Sequence, residues 1–268
     1  MVEEPKPLKP LLAYDYNMRN FILRIITSCF LILVTSCGIS EDCFKGNGNQ
    51  ITQTFPLENF SKIKVYDGVG LVVKEGPNYE VKVVTSDNII DDLDVKLNSG
   101  MLIVKDNSTC NIARDYGQTT VYVTAPNLTE IHSKTDQDIR SDGVLNYADL
   151  KLFSIDISDG AGTGDFRLDL NTFNLYVESN NVSNFYLSGQ SENLHVFFSW
   201  GNGIFYGNNL HINNELSVSH RGSNNIILFP INLLSGNIYS TGNVIIKNNP
   251  IQPSDVISHY TGRLINDF

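Results

Sequence analysis

From residue 50 onward, apolar and polar residues alternate with a period of two over much of the chain. The alternation is clear at Lys62-Ile63-Lys64-Val65, Val69 to Lys74, Val81-Lys82-Val83, Leu93 to Leu97 and Gln118 to Thr124. Successive strand residues point to opposite sides, so this pattern predicts half-buried strands. Asn98-Ser99-Gly100, set between Leu97 and Leu102-Ile103-Val104, predicts a hairpin turn. The best helical candidate in this region is a single turn from Asp87 to Leu93, with Asp87 as its cap.

The second half repeats. An apolar residue follows each Gly/Asn/Ser-rich turn at Phe166, Phe185, Ile204, Ile226 and Val244, at intervals of 18–22 residues. Two residues later come Leu168, Leu187, Tyr206, Leu228 and Ile246. Ahead of three anchors stand Leu175/Val177, Leu194/Val196 and Leu216/Val218; Ile155/Ile157 is the nearest equivalent in the first copy, and Ile131 with Ile139 forms a weaker one. A unit of about 20 residues has too few apolar side chains for its own core, so stacking on its neighbours must bury them. The expected fold is all-β: a right-handed parallel β-helix-like solenoid with antiparallel hairpin elements in its N-terminal half. A β-sandwich is the alternative, since its strands recur at similar intervals.

Ahead of the β region the pattern changes. Met18-Arg19-Asn20 and Arg24 supply positive charge, Ile25 to Val34 is mostly apolar, and Val34-Thr35-Ser36-Cys37 ends the run in small residues and a cysteine. This three-part order predicts a lipoprotein signal, cleaved before Cys37, whose thiol takes the lipid. The apolar run is too short for a membrane-spanning helix of about 20 residues. Residues 1–36 are therefore read as upstream residues plus signal peptide, and 37–50 as a tether. Residues 51–125 form the N-terminal β part of a head domain, and 126–268 its repeat-containing part. Glu41 and Asp42, just after the cysteine, suggest the outer face of the outer membrane; the periplasm-facing leaflet is the alternative.

The chain has 268 residues and a formal charge of −10, a surface that repels nucleic acid. In an oxidising envelope, Cys43 and Cys110 could form a disulfide or remain unrelated thiols. His132, His195, His211, His220 and His259 lack metal-ligand spacing, and no cofactor motif occurs. Asp156, Asp159 and Asp165 are the carboxylates to test for glycan chemistry, although turn roles suit them better. Strand alternation places Phe197 and Phe205 outward, with Trp200 at the turn between them. These three are the candidate binding strip for a glycan or protein ligand.

Taken together, Phe60 to Val69, Gly76, Val81-Lys82-Val83, Leu97 to Val104, Cys110 to Arg114 and Ala125-Pro126-Asn127-Leu128-Thr129-Glu130-Ile131, followed by serial Gly/Asn turns, resemble the head GIN domain family of auto-transporter adhesins, common in Bacteroidetes. The literal Gly-Ile-Asn is absent; Gly201-Asn202-Gly203-Ile204 is a variant. The resemblance implies a β-helix-like fold and a surface or periplasmic lipoprotein, and it supplies no enzymatic activity. The expected function is a lipid-anchored, non-enzymatic, adhesin-like binding domain. The alternatives are a polysaccharide-active lyase or hydrolase on the same scaffold, or a structural envelope component.

Overall fold

The structure, a computed structural model, describes residues 21–28, 41–108, 112–157 and 159–268. Cys37 and Cys110 lie outside the described residues. Residues 21–28 are helical and exposed. Among the described residues, no helix is long and apolar enough to cross a membrane.

The first seven strands are β1 (Gln50–Phe55), β2 (Lys62–Tyr66), β3 (Val69–Glu75), β4 (Glu80–Ser86), β5 (Leu93–Asn98), β6 (Met101–Asp106) and β7 (Thr119–Ala125). The repeat region supplies β8 (Glu130–Lys134), β9 (Ile139–Leu145), β10 (Asp149–Ser154), β11 (Phe166–Ser179), β12 (Phe185–Phe198) and β13 (Phe205–His220). It closes with β14 (Ile226–Pro230), β15 (Leu233–Ile238), β16 (Val244–Ile246), β17 (Asp255–Ser258) and β18 (Leu264–Asn266).

These strands build a β-solenoid with two parallel faces. The front face stacks β6, β2, β8, β10, the second halves of β11, β12 and β13, then β15 and β17. The back face stacks β7, β3, β9, the first halves of β11, β12 and β13, then β14, β16 and β18. Alternate side chains from both faces meet inside, and Leu152, Val177, Val196 and Leu216 are almost completely buried.

The N-terminal end is closed by antiparallel pairing. β5 returns along β6, β4 along β7, and β1 along β4. The β5–β6 hairpin turns at Ser99 (φ 50°) and Gly100 (φ 77°), two positive φ angles as a tight primed turn requires. The short helical turn forms at Ile90–Asp92 without a side-chain cap. Asp87 instead accepts bonds from the Asn49 N–H at 2.9 Å and its Nδ2 at 3.0 Å. That bond belongs to a run of contacts made by residues 43–49, so the chain is docked on the body before β1 begins.

Two repeat assignments shift. The pair stacked on Leu175/Val177 is Leu150/Leu152, not Ile155/Ile157, because residues 155–157 and 159–165 lie outside the strands, in an irregular corner. That corner is organised by Lys134, whose largely buried ammonium donates to the carbonyls of Ile155 and Gly160 and bridges Asp159 at 2.7 Å. The third anchor is Phe205, which pairs with Phe185 below and Ile226 above. Ile204 takes the position before it, where neighbouring rungs carry Asn184 and Asn225. Its N–H donates to Asn184 Oδ1 at 3.0 Å.

The interior changes along the stack. Near the N-terminal end it is mostly Val, Ile and Leu, as in Ile63, Val65, Leu71, Val73, Leu102 and Val121. Further along it becomes aromatic: Phe166 and Phe185 stack at 4.7 Å with rings 11° apart, and Phe198 and Phe205 pack on Phe185.

Candidate functional site

The long strands β11–β13 bend from the back face to the front face near residues 171–174, 190–193 and 211–215. Polar residues occupy this corner because their side chains meet water on one side and the next rung on the other. Asn214 Nδ2 donates to Asn193 Oδ1 at 2.8 Å, Asn193 to Asn174 at 2.9 Å, and Asn174 to the Asp149 carboxylate at 2.6 Å. A second ladder runs beside it, from Gln190 to Asn171 to Asn146 and then to the Glu75 carboxylate at 2.8 Å. In both, every amide donates toward the N-terminal end and a carboxylate closes the chain. A carboxylate is all acceptor, so it can end such a row without leaving a donor unmatched.

The outward positions of the front face form two further rows. One runs Glu130, Lys151, Tyr176, His195, Ser217. The other runs His132, Phe153, Glu178, Phe197, Ser219. Rings meet along and between them: His132 stacks on Phe153 at 4.5 Å, Phe153 lies tilted against Tyr176 at 5.9 Å, and Tyr176 stacks on His195 at 5.3 Å and 9°. In the rung above His195 the row continues with the small side chain of Ser217.

Between the Asp149 ladder and this aromatic row lies a groove of about 510 Å³. Asp149, Asn174, Asn193, Asn214 and Glu215 form one wall; Lys151, Tyr176, His195 and Ser217 form the other. The polar groups on the aromatic side are held in place. Tyr176 Oη donates to Glu178 at 2.8 Å, and burial, reinforced by that carboxylate, keeps the phenol protonated far above its usual range. His195 Nδ1 sits 2.6 Å from Ser217 Oγ, and burial lowers its pKa, so the neutral imidazole prevails at neutral pH. Each ladder amide uses one donor and at most one acceptor within the row. Side-chain amides carry further capacity for a ligand.

The sequence-derived strip comes apart in the structure. Phe197 is outward and half-buried, and Trp200 is 63% exposed at the turn, but neither lines the groove. Phe205 is 0% exposed and packs inside against Phe185 and Phe198. Its outward assignment fails because the anchor lies one residue later than Ile204, which reverses the parity of this strand. The groove residues had a sequence signal of their own: Lys151, Tyr176, His195 and Ser217 each lie between the two interior residues of a repeat.

The three candidate carboxylates do not converge. Asp156 is exposed at the irregular corner. Asp159 bridges Lys134 and Lys64 and accepts from Tyr66 Oη at 3.1 Å. Burial opposes its charge, but these three donors outweigh it and hold the carboxyl down at about 2. Asp165 is engaged by Arg167 at 2.7 Å and by Asn184 at 3.0 Å. Among the described residues, no group of three or more His, Cys, Asp or Glu side chains is placed to hold a metal ion. Cys43 is 5% exposed and disulfide-bonded.

The sequence profile of the family described as "Putative auto-transporter adhesin, head GIN domain" matches residues 59–250. Among solved structures, the chain is similar to a "putative adhesin" from Bacteroides fragilis, with 20% identity and a TM-score of 0.69 over 82% of this chain and 97% of that one. A "putative adhesin" from Parabacteroides merdae aligns at 14% identity and a TM-score of 0.57, covering 83% and 98%. A "Putative lipid binding protein" from Parabacteroides distasonis aligns at 13% and 0.59, covering 82% and 98%. At these identities the likeness establishes the fold. No curated protein matches the chain.

Proposed function

The chain belongs to the head GIN domain family, and from that premise we propose that it is a non-enzymatic, adhesin-like binding domain displayed on the cell envelope and anchored by lipid on Cys37 in the outer membrane, on its outward face. The front-face groove is its recognition site, and its ligand is a hydroxyl-rich chain, a glycan before a protein.

The observation that supports this reading is the pairing of an amide row with an aromatic row across one groove. Repeated amides can donate to and accept from sugar hydroxyls, and ring edges and faces suit their C–H surfaces. Both rows run along the stack at the rung spacing of about 4.8 Å, the amides of Asn174, Asn193 and Asn214 over three rungs and the rings of Tyr176 and His195 over two. A repeating ligand could therefore make the same contact at several rungs, each weak, with gain through multivalency. Asp159 and Asp165 are committed to cationic partners, which favours binding over glycosidic cleavage.

The test is a glycan array and titration with the intact protein. Tyr176→Ala and Asn193→Ala are expected to weaken binding about tenfold each, the size of one good contact, with the fold retained by circular dichroism. Binding that survives both substitutions would move the site elsewhere. Release of cut glycan by the wild type would replace the binding reading with the enzymatic one.

A further inference from the structure

Residues 43–49, leading into β1, form a clamp against residues 112–115, which precede β7. The Ile112 N–H donates to the Cys43 carbonyl at 3.2 Å. Asn47 and Asp115 exchange two bonds, Asn47 Nδ2 to Asp115 Oδ2 at 2.7 Å and the Asp115 N–H to Asn47 Oδ1 at 2.9 Å. Lys45 bridges Asp92 at 2.8 Å, and Cys43 is held in its disulfide. The backbone here is therefore fixed at several points. Yet the clamp leaves three large apolar side chains in solvent: Phe44 at 65% exposed, Ile112 at 71% and Tyr116 at 80%. Scattered exposed apolar residues are ordinary, but these three are carried on two segments tied together by the Cys43–Ile112 and Asn47–Asp115 bonds, a common location that calls for an occupant.

Chain length argues for one occupant, a membrane surface. Cys43 is six residues after Cys37. A fully extended chain covers 3.3–3.6 Å per residue, so the two sit no more than roughly 20 Å apart. If Cys37 carries lipid, the clamp is within reach of the bilayer surface. An aliphatic side chain, a phenyl ring and a phenol suit the headgroup–acyl boundary, where Tyr is enriched because one end is apolar and the other wet. Charges close to the patch are mixed, with Lys45 opposed by Asp92 and with Asp115 nearby, so attraction to anionic lipid would contribute little.

We propose that Phe44, Ile112 and Tyr116 insert into the surface of the membrane that carries Cys37, giving the domain a second, non-covalent contact with lipid. The N-terminal cap then faces the bilayer, and successive rungs rise away from it. The proposal rests on the lipoprotein reading of Cys37, and the experiment separates the two.

The full mature protein is reconstituted in phosphatidylcholine vesicles with brominated or unbrominated acyl chains, and its mass reports acylation of Cys37. Tyr116→Trp is made in a Trp200→Phe background, with Phe44→Trp as a second probe in case the first disturbs the clamp. Either tryptophan should be blue-shifted and at least twofold quenched by the brominated chains, equally at raised salt and with added anionic lipid. Native Trp200, about five rung spacings or roughly 24 Å up the stack from β6, should be unquenched. An acylated Cys37 with both clamp probes unquenched overturns the membrane contact and leaves the anchor standing. An unmodified Cys37 with quenched probes removes the anchor and leaves the contact. Quenching that disappears at raised salt overturns the apolar insertion.

Discussion

The two ends of this solenoid are built by different rules. From β10 onward each rung rests on the one before it in the chain, and contacts close over roughly 20–25 residues. In the N-terminal part the stack order departs from chain order: β2 and β3 lie between β6–β7 and β8–β9. Lys62 thus pairs with both Met101 and Glu130. The first rungs cannot be completed until chain far downstream arrives, which raises the cost of loop closure. In exchange, β1, β4 and β5 run antiparallel across the end and cover its edges. Local repetition thus supplies length, while non-local pairing and reversed strands supply a terminus. Open parallel edges would otherwise be sites for unwanted pairing.

The largest effect should come from the aromatic interior. Phe185→Ala removes the ring on which Phe166, Phe198 and Phe205 pack, and should cost about 3–5 kcal/mol in denaturant titration. Ile63→Val, in the aliphatic interior of the first rungs, should cost only about 1 kcal/mol. A loss at Phe185 as small as the one at Ile63 would mean that the rungs close over the missing ring.

Gly189 tests how closely the rungs approach. Its φ is 98°, and a Cβ there would lie 2.0 Å from the Leu170 carbonyl oxygen in the strand beneath. Gly189→Ala should cost about 2–3 kcal/mol; a neutral result would mean that the rungs can part locally.

Glu75→Ala probes the seam between the two parts. It removes the carboxylate that accepts the Asn146 N–H and side-chain amide, the foot of one ladder. A loss of about 1.5 kcal/mol is expected, near the low end for bonds to a charged group because the site is partly exposed. Glu75→Gln should lose less, since its carbonyl can still accept.

The smallest effect is a pH slope. His220 is 0% exposed inside the repeat region, where Nε2 lies 2.7 Å from the Asn224 carbonyl. Burial lowers its pKa below the ordinary 6.5, against a weaker upward pull from that carbonyl. Below that ordinary value the unfolded chain binds the proton and the folded protein does not. Stability is therefore full above about 6.5 and falls as pH drops, until the folded-state value is reached. Unfolding midpoints at several pH values should show a shallower slope in His220→Gln than in wild type, whatever the variant's absolute stability. His132 and His195, also lowered by burial, should leave a residual slope.

Much of the fold was legible because interior pairs such as Leu194/Val196 and Leu216/Val218 keep strict parity and spacing. The register slipped by one at Ile204, where an apolar residue occupies a position that other rungs give to Asp or Asn. Composition could not reveal this; the bond from the Ile204 N–H to Asn184 does. Stack order in the N-terminal part was illegible for a different reason. Alternation fixes which side of a strand is inside, not which strand lies next to it. The groove was half visible. Its aromatic row could be found between the paired interior residues, but the amide row depends on where three long strands bend, and no spacing rule marks that bend.

The carboxylate-footed ladders give the molecule a direction of growth. A new course inserted midway needs only one more amide in each ladder, which receives from above and gives to below. A new course beneath Asp149 or Glu75 would need the foundation relaid, with the acid moved down and an amide put in its old place. Duplication of sequence can therefore heighten this tower from within or from its upper courses, while its footing stays where it was first poured.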